Sequence, residues 1–159
     1  MKPLYLSFAD NGNIYFCSMD KNNDSDIYLS EYKNGSYLPL VPLSFNDKKI
    51  SDFDPVVSTD ERFIIFTSNS RKGLGLSDLW VSFKKDGKWT EPVNMGDKVN
   101  SRAIEGNPCL SRDNKTLYFS SSPSRGTSLR PVYKNRKPTT EEIISALTSA
   151  KNGVHNLYI

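Results

Sequence analysis

The string Asp20-Lys21-Asn22-Asn23-Asp24-Ser25-Asp26-Ile27-Tyr28-Leu29-Ser30-Glu31 places oxygen side chains at its positions 1, 3, 5 and 7 and a glutamate at position 12. That is the donor spacing of a calcium-binding EF-hand loop, with Asp20, Asn22, Asp24, Asp26 and Glu31 as the candidate ligands. Two features depart from it. Ser25 stands where the sharp turn needs glycine, and the flanks carry the aromatic and β-branched residues of strands where the motif needs helices. An acidic loop running into a strand explains the same letters, because Asp26-Ile27-Tyr28-Leu29 recurs as Asp78-Leu79-Trp80-Val81.

A second kind of chemistry is offered by cations on loops. Arg125, Arg130, Lys134, Arg136 and Lys137 stand between Ser120 and Thr140 without an acidic residue among them, and Arg71 and Lys72 precede Gly73 and Gly75 in another polar stretch. Both stretches read as solvated loops that could meet an acidic protein surface or an anionic glycan through salt-dependent contacts. Catalytic groupings are sparse. The single histidine, His155, has no second histidine or cysteine nearby in sequence to form a zinc set, and no nucleophile–base pattern accompanies it. Cys17 and Cys109 read as two small, partly buried free thiols. The expectation is therefore a non-catalytic protein that needs no cofactor.

The elements that must carry these residues are short strands. The 159 residues suit one domain, and 36% hydrophobic with 25% charged residues is ordinary for a globular chain. A net charge of +3 is too small to suggest nucleic acid, and no apolar run reaches the roughly 20 residues that cross a bilayer. Met1 to Ser7 leads directly into polar turn residues, so no signal peptide is visible.

The chain repeats. Asp10 to Phe16, Asp60 to Phe66 and Asp113 to Phe119 each span six residues, and the phenylalanines lie 50 and 53 apart. Each unit reads as a strand, a polar turn, an apolar strand ending in small polar residues, and a third strand opened by Asp or Asn. A turn containing Gly35 or Gly87 then leads to a fourth strand beginning at Tyr37 or Trp89. Repeats of about 4–45, 53–96 and 105–159 follow. The third is interrupted over about 122–155 by an insertion that includes a predicted short helix from Thr140 to Ala150. Asp60, Phe66, Asp78, Trp80, Trp89, Asp113 and Phe119 are the structural positions of this pattern, with Trp89 and Tyr37 expected to cover seams between units.

Ser58-Thr59-Asp60-Glu61-Arg62-Phe63-Ile64-Ile65-Phe66-Thr67-Ser68, followed by Ser77-Asp78-Leu79-Trp80-Val81, resembles the WD-like β-propeller repeat of the TolB type. Thr59 replaces that pattern's proline. Glu61, Asn11 and Asn114 replace its glycine, and of these Glu61 is the costly one if the backbone there is left-handed. The resemblance implies an all-β propeller of four-stranded antiparallel blades. About three blades are present, as an open or partial ring that further blades or a second copy would close. It also implies a protein-binding module of the bacterial cell envelope or periplasm. Its alternatives are an accessory or gating propeller of a prolyl oligopeptidase-like peptidase and a glycan-binding propeller.

Overall fold

The computed structural model describes residues 2–21, 24–122, 139, 141 and 156–158. The predicted helix, the bulk of the 122–155 insertion and the residues Asn22, Arg125, Arg130, Lys134, Arg136 and His155 lie outside the described residues.

The chain forms antiparallel sheets arranged as propeller blades. In the first, β1 (Pro3–Phe8), β2 (Ile14–Met19), β3 (Ser25–Ser30) and β6 (Val41–Pro42) lie side by side, with a small hairpin of β4 (Tyr32–Lys33) and β5 (Ser36–Tyr37) before β6. The second has β7 (Asp52–Val57), β8 (Phe63–Ser68) and β9 (Asp78–Lys85), with β10 (Lys88–Trp89) and β11 (Val93–Asn94) both paired to β9. The third has β12 (Ile104–Leu110), β13 (Leu117–Ser122) and β14 (Asn156–Tyr158). The second and third strands meet in one register throughout: Phe16 faces Tyr28, Phe66 faces Trp80, and Phe119 faces Tyr158.

The fourth strands fall later than expected. Asn34-Gly35 and Asp86-Gly87 both take positive φ at both positions, the signature of tight two-residue hairpin turns. Tyr37 and Trp89 therefore close small hairpins, and the strands that complete the blades are Val41–Pro42 and Val93–Asn94. Trp89 does reach the seam, edge-on to Tyr15 at 5.8 Å. Tyr37 does not; it is half exposed and packs against Tyr32.

Burial joins the blades face to face. Tyr15, Cys17, Ile27 and Leu29 of the first blade meet Ile64, Phe66, Trp80 and Trp89 of the second, and Ile65 and Leu79 on the second blade's other face meet Phe119 of the third. Alternation along each strand makes this possible, since neighbouring residues point to opposite faces. The connectors take part as well. Leu43 and Phe45 fill the first joint, Phe45 stacking on Phe66 at 5.0 Å, and Met95 and Val99 pack into the second. Phe16 alternates with Tyr15 and Cys17, so with Tyr28, on which it stacks at 6.1 Å, it occupies the first blade's opposite face.

The recurrent serine and aspartate of the first turn have a local cause. Ser58 and Ser111 accept the backbone N–H of Phe63 and Thr116, while Asp60 and Asp113 accept those of Arg62 and Lys115. Glu61 is left-handed at φ 56°, as the missing glycine foreshadows, and so is Asn114 at 58°. In the first blade the turn is one residue shorter, and Gly12 takes the positive φ.

Candidate functional site

The first strands β1, β7 and β12 run beside one another, and each is broken by a bulge at which one residue turns left-handed: Tyr5, Asp54 and Asn107, at φ 51°, 51° and 50°. In the second and third blades proline follows, which has no N–H to lose from the ladder. Along these bulges runs a groove of about 450 Å³, lined by Leu6, Phe8, Pro55, Val56 and Pro108 among others. Two further grooves open between blades, one of about 330 Å³ beside Cys17, Ser25 and Ser51, and one of about 320 Å³ beside Thr67, Ser77 and Gly106. Asp54 borders all three. Burial pushes its carboxyl above the ordinary value, against the backbone N–H of Asn107.

The loop between β8 and β9 is not the free cationic display expected of Arg71 and Lys72. Arg71 turns inward, its side chain 9% exposed, and forks onto Asp52 with Nη2 at 2.7 Å from Oδ2. Its guanidinium lies 5.7–5.8 Å from the Phe45, Phe66 and Trp80 rings. The reason is Asp52, a carboxylate buried to 1% in an apolar strand, which needs a counter-charge. Asp78 fixes the rest of the loop by accepting the N–H groups of Leu74 and Gly75 and a hydrogen bond from Asn94. The Leu76 N–H donates to the Ala103 carbonyl, and the Ser77 hydroxyl to that of Glu105. Lys72 alone of the pair remains exposed. Gly75 is required by the tightness of this fit: a methyl group there would sit 2.6 Å from the Ser101 carbonyl oxygen and closer still to that of Ala103. Gly75→Ala is expected to cost about 1–3 kcal/mol, as overpacking does, and a thermal unfolding midpoint equal to the parent's would contradict this.

The calcium reading fails on geometry. Asp20 and Asp24 close the β2–β3 turn, Asp24 donating its N–H to Asp20 Oδ1 at 3.1 Å, and Asp26 lies within β3. Since β3 is extended at roughly 3.3 Å per residue, Glu31 stands about 16 Å from Asp26, far beyond the span of one ion's ligands. No group of three or more His, Cys, Asp or Glu among the described residues could hold a metal. Asp26 is raised by burial and by the carboxylates of Asp52, Asp20, Asp24 and Asp47. The thiols also differ from expectation: Cys17 is buried, which pushes its thiol up, whereas Cys109 is exposed.

Sequence reasoning passed over Glu61 as a tie between blades and Asp54 as a groove residue. Glu61 accepts hydrogen bonds from Asn11, Asn13 and the Tyr15 hydroxyl of the first blade and from Lys84 of its own, at 2.6–3.1 Å. A glutamate at a glycine position was the available signal for the first. Asp54-Pro55 and Asn107-Pro108, an Asx-Pro pair repeated in the first strands, was the signal for the second.

A solved structure of an Agrobacterium tumefaciens protein assigned as TolB is similar to this chain, with a TM-score of 0.58 and 20% identity over 76% of this chain and 39% of that one. The likeness shows the fold: an all-β propeller architecture. The chain spans about two fifths of that structure's length. No protein-family model matches the chain, and no curated protein matches it in sequence.

Proposed function

We propose that the chain is a non-catalytic propeller module that works by binding protein, in the periplasm or cell envelope. The location rests on its likeness to the TolB type. The observation that carries the binding reading is the incompletely covered face of the first blade. On the second blade the matching face, bearing Ile64, Phe66 and Trp80, is buried against a neighbour and its connector. On the first blade, Ile14 and Tyr28 are only partly buried, although Phe16 between them is buried, and the adjacent Phe8 is 57% exposed. Apolar sheet faces of this kind are covered in a ring by the next blade. The partner that fits is a further blade, supplied by more chain or by a second copy. The other ring-facing surface for protein contact is the rim of loops that carries Lys72. No helix among the described residues is long and apolar enough to cross a membrane.

Light scattering on the chain tests this. A particle of two or more copies is expected, shifting to the monomer mass in a Phe8→Lys, Ile14→Lys double variant. A well-folded monomer with no affinity for added blades would rule the reading out.

A further inference from the structure

The three bulges serve as controls for one another. Tyr5, Asp54 and Asn107 share one backbone conformation, so that conformation does not require a carboxylate, and asparagine enters it with less strain than most residues. Asn107 donates from Nδ2 to Ser120 Oγ at 2.9 Å, and Tyr5 faces solvent. Asp54 is 8% exposed, and its Oδ1 is enclosed with no hydrogen-bond partner among the described residues.

The residue across the ladder departs in the same blade. Cys17 donates from Sγ to the carbonyl of its cross-strand partner Leu4 at 3.5 Å, and Ser120 from Oγ to that of Gly106 at 3.0 Å. Thr67, set opposite Phe53 in the same register, is 1% exposed and leaves Oγ1 unpartnered. Thr67 Oγ1 and the other carboxylate oxygen of Asp54, Oδ2, border one spot. A methyl group on Gly106 would lie 3.5 Å from Thr67 Oγ1 and 4.0 Å from Asp54 Oδ2. This is the floor of the groove between the second and third blades. Glu105 borders that groove too, fully buried, its carboxylate held by Ser101 and Ser121. Neither carboxylate forms an ion pair among the described residues.

We propose that this groove binds an organic cation, a primary ammonium or guanidinium on a short aliphatic stem. Asp54 and Thr67 hold the charged end, and the exposed Leu76 and Ile104 flank the stem. The chemistry follows from what the floor lacks. A buried carboxylate without an ion pair and an unpartnered hydroxyl beside it are met together by a group with several N–H donors and a positive charge, which also offsets the cost of burying the carboxylate. A hard divalent ion needs six or more oxygens, a number this set does not approach. Oδ2 already borders the space beside Gly106, so the cation meets the carboxylate there while Oδ1 stays enclosed behind it. The inference stands apart from ring closure, since the groove lies between two blades already joined.

Amide NMR titrations with butylammonium chloride, N-acetyl-lysine methylamide and neutral butanol test it. Both cations are expected to shift Thr67, Asn69, Gly106 and Asn107, with affinity reduced about tenfold or more in Asp54→Asn, which keeps the left-handed bulge. Gly106→Ala makes only ordinary contacts yet occupies the same space, and it is expected to abolish binding with the rest of the spectrum intact. Tighter binding of the lysine derivative identifies a side chain of a protein partner, and equal binding identifies a free amine. Butanol binding as well as the cations, Asp54→Asn binding as tightly as the parent, or no response to either cation overturns the proposal.

Discussion

Arg71→Ala is expected to destabilise the fold by about 3–5 kcal/mol, the range for removing one partner of a buried ion pair. Asp52, with its side chain 2% exposed, would be left enclosed without its counter-charge. The guanidinium does more than neutralise. Its Nε and Nη2 hold both carboxylate oxygens at 2.7–3.2 Å, Nη2 also donates to the Phe45 carbonyl at 3.1 Å, and its plane lies among three aromatic rings. Lysine cannot reproduce that fork, so Arg71→Lys should recover only part of the loss. Removing both charges, as in Arg71→Met with Asp52→Leu, should recover most of it, because an apolar pair of similar volume leaves nothing to desolvate. Urea denaturation reads the result as a midpoint shift at constant slope. A loss below about 1 kcal/mol for Arg71→Ala would place the pair among the weak surface bridges and contradict the geometry.

Glu61 leads to a second large effect, about 2–4 kcal/mol for Glu61→Ala, because the Tyr15 hydroxyl, Asn13 and Lys84 would lose a shared charged acceptor in a half-buried seam. Glycine is the sharper substitution. At φ 56° it relieves roughly 1 kcal/mol of backbone strain, yet Glu61→Gly is expected to be destabilising, since the seam loses more than the backbone gains. A Glu61→Gly protein more stable than the parent would show that the backbone strain outweighs the seam contacts. The pH dependence has a fixed sign. Burial opposes the Glu61 charge, but hydrogen bonds from Tyr15, Asn13 and Lys84 outweigh it and hold the carboxyl below its ordinary value. Its stabilisation is therefore complete above the ordinary glutamate range and fades as the pH falls through the depressed folded-state value, a slope that Glu61→Gln should flatten.

The blade pattern was legible because its signals are local. The Asp-to-Phe spacing reports a turn and the strand after it, and the pairs Phe66–Trp80 and Phe16–Tyr28 follow from hairpins between neighbouring strands. Arg71 was not legible. A cation beside Lys72 and two glycines reads as surface, and its partner lies 19 residues upstream. The hint was Asp52 itself, a charge leading a strand of otherwise half-buried or buried residues. The fourth strands were misplaced because each Gly turn is a complete hairpin signal by itself, and nothing in Val41-Pro42 or Val93-Asn94 announces a second pairing. Asp54 and Thr67 were hidden for another reason: each is ordinary in sequence and becomes unusual only beside its counterparts in the other blades.

The seating of Phe45 and Met95 in the joints has a consequence for how such a chain can grow. These residues lie 50 positions apart and belong to the connectors, each packing against the blade that follows. A duplicated segment that begins at a connector brings its own gasket, so a new blade arrives with its joint already filled. The gaskets are not alike, however. A flat ring suits the face of Phe66 in one joint, and a flexible thioether serves the joint holding Phe119 in the other. Blade order is thus written in the connectors as much as in the sheets, and a blade moved without its preceding connector would meet a neighbour through an ill-fitting gap.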